Sequence, residues 1–330
     1  MIARLLAFAA VVAVALCASP VAGQGKGAGA AETLAAIVRV RAKILPDARS
    51  LATLGPLREG SGVLVREGYV ATIGYLVLEA EAVEVTGADG RTVPAAYAGY
   101  DPASGFGLVR LLAPLDAKPL AFGDSAEVAE NDPVLVAGHG GPGSVNYVRV
   151  VSRRPFSGSW EYSLDSAIWT YPAVPNWSGA ALLGPRGELL GIGSLIVGDA
   201  AGIGLHAPGN LFVPIDLLAP ILDDLIASGR TRTPPRPWLG MNTEELRGRL
   251  FVSRVSPEGP AERAGVRAGD IVIGVGEDRV ATLAELYRKV WALGAAGVEV
   301  PLRVLRGGEV RELRLRSMDR LSYFRRPAGN

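Results

Sequence analysis

Cysteine is nearly missing from this sequence of 330 residues: Cys17 is the single one, and it falls within the first two dozen positions. A chain shortened past that point has no thiol, which excludes a disulfide framework, a cysteine nucleophile and a cysteine-based metal site. Histidine is scarce too, with only His139 and His206, so no zinc site or other cofactor is expected. Net charge is also small: the formal balance of +1 gives no long-range field to draw nucleic acid or an anionic membrane surface. No apolar run after the first two dozen residues is long enough for a membrane span.

What is present begins with an export pattern. Met1 to Arg4 is a short positive start, Leu5 to Leu16 is an unbroken apolar run, and small residues lead to Gly23 and Gln24. This is the layout of a cleaved signal peptide over residues 1–23, which places the mature chain in the periplasm or outside the cell. A lipidated Cys17 is the minor alternative, because the bulky Leu16 precedes it. The remaining length, about 300 residues, is enough for two domains with separate cores.

A Gly/Ala-rich leader, expected to be flexible, fills 24–33. From Ile37 onward the chain reads as short strands divided by Gly and Pro: Ile37–Ile44, Gly62–Val65, Tyr69–Thr72, Ala82–Val85, Gly107–Leu112, Pro133–Ala137 and Ala181–Gly193. That rhythm predicts an all-β barrel or sandwich. Leu217, Leu218, Ile221, Leu222 and Leu225 fall at helical spacing and predict a helix over Asp216–Ser228, ended by Gly229. Pro234, Pro235 and Pro237 make 230–237 a stiff linker. Beyond it the rhythm changes: strands at Leu250–Val255, Asp270–Val275, Val298–Leu305 and Val310–Arg316, helices at Pro260–Ala264 and Thr282–Leu293, and a Gly307-Gly308 hairpin turn. A small α/β domain over 238–318 is expected, followed by a tail, 319–330.

Two sets of motifs resemble the HtrA (Deg) family of trypsin-fold proteases. The C-terminal set is Trp238-Leu239-Gly240-Met241, Ser256-Pro257, Pro260-Ala261-Glu262-Arg263-Ala264-Gly265-Val266 and Ala268-Gly269-Asp270-Ile271-Val272, a succession specific for bacterial PDZ domains. The N-terminal set runs from Gly60-Ser61-Gly62 and Thr72-Ile73-Gly74-Tyr75 through Gly99-Tyr100-Asp101-Pro102 and Gly123-Asp124-Ser125. It ends with Asn176-Trp177-Ser178-Gly179, Gly187-Glu188-Leu189-Leu190-Gly191-Ile192 and Val213-Pro214. The resemblance implies a mostly β chain, with a trypsin-like double β-barrel over 34–229 and a PDZ domain binding C-terminal or extended peptide segments. Main-chain N–H groups around Trp238, Leu239, Gly240 and Met241 would cradle a peptide carboxylate. Leu286 and Val290, one helical turn apart, are either groove or ordinary core; spacing alone does not separate the two.

The resemblance also locates where chemistry should be. Serine needs a base of pKa near 7 and a carboxylate to orient that base. The family's histidine position holds Tyr75, and a phenol of pKa about 10 stays protonated at neutral pH. The position of the family's aspartate holds Gly105, which carries no carboxylate. Only the nucleophile position keeps its residue, Ser178, with the N–H groups of Asn176 and Ser178 as the oxyanion donors and the bulky Trp177 alongside. The residues therefore point to a pseudoprotease acting in envelope protein quality control or complex assembly. Two alternatives stay open: a working endopeptidase with a non-standard base, for which His139, His206 and the four lysines are the available candidates, or an assembly module of an envelope complex. Family members trimerise through aromatic residues near the mature N-terminus; Gln24 to Leu34 has none, which leaves the oligomeric state open.

Overall fold

The computed structural model describes residues 24–204 and 206–326; the expected signal peptide and Cys17 lie outside the described residues. The first element is a helix, α1 (Gln24–Ala35), where a flexible leader was expected. Ala30, Ala31 and Ala35 are strong helix formers. Tertiary contacts add to that preference: Leu34 packs on the barrel core and Glu32 pairs with Lys118 at 2.8 Å.

Strands β1 (Ile37–Ile44), β2 (Leu57–Arg66), β3 (Tyr69–Ile73), β4 (Ala80–Thr86), β5 (Thr92–Tyr100) and β6 (Phe106–Leu111) follow, with the one-turn helix α2 (Leu51–Leu54) between the first two. They close into an antiparallel barrel in the order β1-β2-β3-β6-β5-β4. Strands β7 (Pro133–Ala137), β8 (Val145–Gly158), β9 (Tyr162–Tyr171), β10 (Ala181–Leu183), β11 (Leu189–Val197) and β12 (Gly209–Pro214) close into a second barrel, β10-β11-β12-β9-β8-β7. Closure leaves neither sheet with an unpaired edge. Inward residues such as Val63, Val70, Leu108 and Phe106 fill the first barrel, and Val150, Ile168, Leu182 and Phe212 the second. One continuous apolar cluster runs from the first barrel into Ile192, Leu211 and Val213 of the second, so the two halves form a single body.

Two sequence expectations change here. The predicted strand Ala181–Gly193 is two strands, β10 and β11, joined through Gly184–Gly187, where Gly187 N–H bonds Gly184 O. The predicted helix Asp216–Ser228 is a 3₁₀ turn, Ile215–Leu217, followed by α3 (Leu222–Ser228). Pro220 explains the break, since its ring supplies no N–H and crowds the preceding turn.

The third sheet holds β13 (Met241–Leu246), β14 (Arg249–Val255), β15 (Ile271–Val275), β16 (Asp278–Arg279), β17 (Glu299–Arg306) and β18 (Glu309–Arg316), in the order β13-β14-β15-β17-β18 with β16 beside β15. Helix α4 (Pro260–Arg263) and helix α5 (Leu283–Ala292) cover it, and α6 (Arg320–Tyr323) is the last element among the described residues. A full capping box starts α5: Thr282 Oγ accepts from the Glu285 N–H, and the Glu285 carboxylate accepts from the Thr282 N–H. Leu250, Leu286, Leu302 and Leu315 are fully buried in this domain's own core. The fold is mostly β, a trypsin-like pair of barrels followed by a PDZ domain.

Candidate functional sites

The Ser178 loop joins β9 to β10, is pinned to β2 and β11 and closes a turn on itself. Ser61 N–H donates to Ser178 O at 2.8 Å, Gly179 N–H to Gly193 O at 2.9 Å, and Ala180 N–H to Trp177 O at 3.0 Å. Gly179 has φ +72°, and a Cβ there would overlap the Ser61 carbonyl, so only glycine lets this loop lie against β2.

Tyr75, on the 3₁₀ turn Gly74–Leu76 after β3, places its hydroxyl 2.8 Å from Ser178 Oγ and 2.9 Å from Ser194 O. A carbonyl can only accept, so the tyrosine proton goes to Ser194 O and Ser178 donates to the tyrosine oxygen. Burial pushes the Tyr75 phenol up to about 12. At neutral pH it is a fixed donor with no capacity to take the serine proton.

Gly105 lies behind this turn, its carbonyl accepting the Gly74 N–H at 2.7 Å. Its φ is +85°, and a Cβ would stand 3.1 Å from the Tyr162 hydroxyl, which is itself bonded to Ser104 O at 2.7 Å. Tyr162 thus fills the space a longer side chain at 105 would need. Asp101 closes its own turn instead, accepting from Ser104 N–H at 2.9 Å and Ser104 Oγ at 2.6 Å.

The other bases are occupied elsewhere. His139 Nδ1 is 3.0 Å from Ser61 Oγ, and its main-chain N–H donates to the same oxygen at 2.9 Å. Burial lowers its pKa, so the ring is neutral near pH 7. His206 is exposed on the β11–β12 connection. Lys43, Lys118 and Lys289 pair with Glu81, Glu32 and Asp278. Among the described residues, the one side chain bonded to Ser178 Oγ is Tyr75. The cleft around it, about 600 Å³, is lined by Ser61, His139, Asn176, Trp177 and Ser178, with Trp177 also packed on the second-barrel core.

The Trp238–Met241 loop is the second site. Leu239 N–H donates to Glu161 Oε2 at 2.7 Å, and Gly240 and Met241 N–H donate to Glu161 Oε1 at 2.7 and 3.0 Å. Three consecutive N–H groups therefore converge on one carboxylate, and it comes from the tip of the β8–β9 hairpin. The Trp238 N–H is used differently, pairing with Met318 O at 3.1 Å, while its ring packs 4.7 Å from that of Tyr323. Leu286 and Val290 are both buried in the PDZ core. Between them in sequence, Tyr287 reaches the hairpin: its hydroxyl donates to Gly158 O at 2.6 Å and accepts from the Glu161 N–H at 3.2 Å. Sequence reasoning missed Glu161 and Tyr287. Glu161 lies in no motif, and only an unpaired acid in a turn between two strands marked it.

Comparison with known families matches both domains. A trypsin-like peptidase domain matches residues 60–192 and a PDZ domain matches 237–316. The chain is an HtrA-like pairing of these two domains. A probable periplasmic serine protease, do/HhoA-like, from Haemophilus influenzae is 30% identical over 276 residues, covering 78% of this chain and 57% of that protein. Periplasmic serine endoprotease DegP of Escherichia coli K12 is 28% identical over 269 residues, covering 76% and 55%. The HtrA-like chain thus spans little more than half the length of these curated relatives. Among solved structures, HtrA-type protease AlgW with decapeptide matches with TM-score 0.54 and 20% identity over 91% of this chain and 98% of that one. The serine endoprotease from Yersinia pestis matches with TM-score 0.52 and 22% identity, over 89% and 97%. At such identities the structures speak for the shared fold. Among the described residues, no helix is long and apolar enough to cross a membrane.

Proposed function

We propose that this HtrA-like chain is an exported pseudoprotease of the periplasm or cell exterior, whose PDZ domain binds C-terminal or extended peptide segments in envelope quality control or complex assembly. The carrying observation is the 2.8 Å contact between Ser178 Oγ and a half-buried phenol that is already donating to Ser194 O. Tyr75 takes the base position and Gly105 the position of its orienting carboxylate; neither accepts a proton from Ser178. Loss of one triad member already lowers turnover by about four to six orders of magnitude. Peptide binding is supported by the three converging N–H groups at Leu239–Met241, and by the similar structure of AlgW with a decapeptide.

The test compares the wild-type chain with Ser178→Ala. Neither should degrade casein, and a fluorophosphonate should label Ser178 in neither a folded nor a peptide-treated sample. Degradation by wild type that Ser178→Ala abolishes would establish an endopeptidase with an unorthodox base and reject this reading. Tyr75→His with Gly105→Asp is expected to restore little, because aspartate at 105 must adopt φ +85° against the Tyr162 ring.

A further inference from the structure

A PDZ carboxylate loop ordinarily waits for the end of another chain. Here it is full. We propose that the β8–β9 hairpin tip, Gly158 to Glu161, is a built-in competing ligand that closes the peptide groove until an external chain end displaces it. The inference rests on the peptide-binding reading above.

Three features make the tip a ligand mimic rather than a chance contact. First, Glu161 presents both carboxylate oxygens to three successive N–H groups, the arrangement an external terminal carboxylate would require. A hairpin has no chain end, so a side chain must supply the carboxylate. Second, Thr243 N–H donates to Ser159 O at 2.9 Å, so the tip takes up hydrogen-bonding capacity on β13 where an added peptide strand would pair. Third, Tyr287 of α5, the other wall of the groove, holds both Gly158 O and the Glu161 N–H.

The placement also has a cost that only the groove repays. Glu161 adopts φ 58°, unusual for a residue with a side chain, and the residue is buried, only 8% exposed. Among the described residues its hydrogen-bond partners are the three loop amides, with no salt bridge. Further contacts tie the C-terminal part to the barrels: Arg49 with Glu258 between the domains, Arg230 of the linker with Asp319 of the tail, and Arg325 N–H of the tail to the buried Glu79 at 2.8 Å. An attached ligand acts at an effective concentration on the order of millimolar, enough to raise the apparent Kd of a micromolar peptide by ten- to a hundredfold.

The test uses the full chain in wild-type, Glu161→Ala and Glu161→Gln forms. Hydrogen exchange at 238–243 should be slow in wild type and at least tenfold faster in Glu161→Ala, with β1–β12 unchanged. Decapeptides with a free carboxylate and varied apolar last residues should bind Glu161→Ala ten- to a hundredfold tighter than wild type, with Glu161→Gln between them. Amidated versions should bind neither form. Equal exchange in wild type and Glu161→Ala overturns the internal ligand and leaves the peptide-binding reading standing. Faster exchange in Glu161→Ala without binding of any acid peptide overturns the competition and, with it, the reading on which it rests.

Discussion

The Ser178 loop and the Trp238–Met241 loop are both short segments fixed by main-chain hydrogen bonds, yet they have different fates. Around Ser178 the backbone framework is complete, with three hydrogen bonds and a glycine at φ +72°, while the proton acceptor that would use it is replaced by a phenol. Around Leu239–Met241 the backbone donors are complete and also employed, holding a carboxylate from elsewhere in the chain. On the pseudoprotease reading proposed above, backbone geometry serves the packing of the fold and persists where the chemistry does not. A side-chain base serves only the reaction, so nothing else in the fold retains it. A loop whose function is its own N–H groups keeps function and fold together.

The sharpest way to break that comparison is at Gly179. If the Ser178 loop persists for packing, Gly179→Ala should destabilise the barrels by about 3–5 kcal/mol, since it combines a left-handed backbone with overlap of the Ser61 carbonyl. Urea unfolding measures this. A loss below about 1 kcal/mol would mean the loop rearranges freely and is not part of the packed framework.

These sites differ also in how far sequence reaches them. The first strand, Ile37–Ile44, follows from its alternating apolar residues, and Gly307-Gly308 from turn chemistry that demands positive φ, found at 59° and 87°. Ser178, Tyr75 and Gly105 were visible because flanking motifs fix their positions, and the structure adds why Gly105 cannot easily be reversed: Tyr162 is packed against it. Glu161 was invisible, because its partners lie 78 to 80 residues away in a different domain. Neither periodicity nor a motif encodes a contact between two independently patterned domains. The interrupted helix before α3 was legible in Pro220, but its leucine spacing outweighed the proline.

A second, smaller effect concerns pH at the carboxylate loop. Burial pushes the Glu161 carboxyl up to about 7, against the lowering effect of the three N–H donors and the nearby Arg320. The other titratable group on it, Tyr287, has its phenol raised by the same burial and stays neutral. Detached, Glu161 titrates near 4.5. Between those values the docked state holds a proton that the detached state has released, so docking is strongest below about 4.5 and weakens as pH rises through 7. Relative to Glu161→Gln, which does not titrate, wild type should lose on the order of 2 kcal/mol of stability between pH 5 and pH 8. Thermal unfolding of the pair at both pH values measures the difference. A constant gap, or one that widens in favour of wild type at pH 8, would show that the three N–H donors keep Glu161 ionised throughout.

The smallest effect, and the most telling for the first site, separates Ser178 from Tyr75. In Ser178→Ala the tyrosine keeps its hydrogen bond to Ser194 O, and only one neutral hydrogen bond is lost, costing about 0.5–1.5 kcal/mol. In Tyr75→Phe two groups lose their partner at once: the Ser194 carbonyl loses its donor and the Ser178 hydroxyl its acceptor. The carbonyl of the buried Ser194 left without a donor costs about 1–3 kcal/mol, whereas the half-buried Ser178 hydroxyl can turn to the cleft, so Tyr75→Phe should be the more damaging change. In a working protease the serine is the residue that matters and its neighbour's contribution is read in turnover; here both substitutions should be read in stability alone, with the tyrosine ahead. Urea unfolding of the two variants side by side gives the order. If Ser178→Ala costs more than Tyr75→Phe, the hydroxyl at 178 is held by something other than the phenol, and the inference that Tyr75 has turned a nucleophile into a structural donor fails.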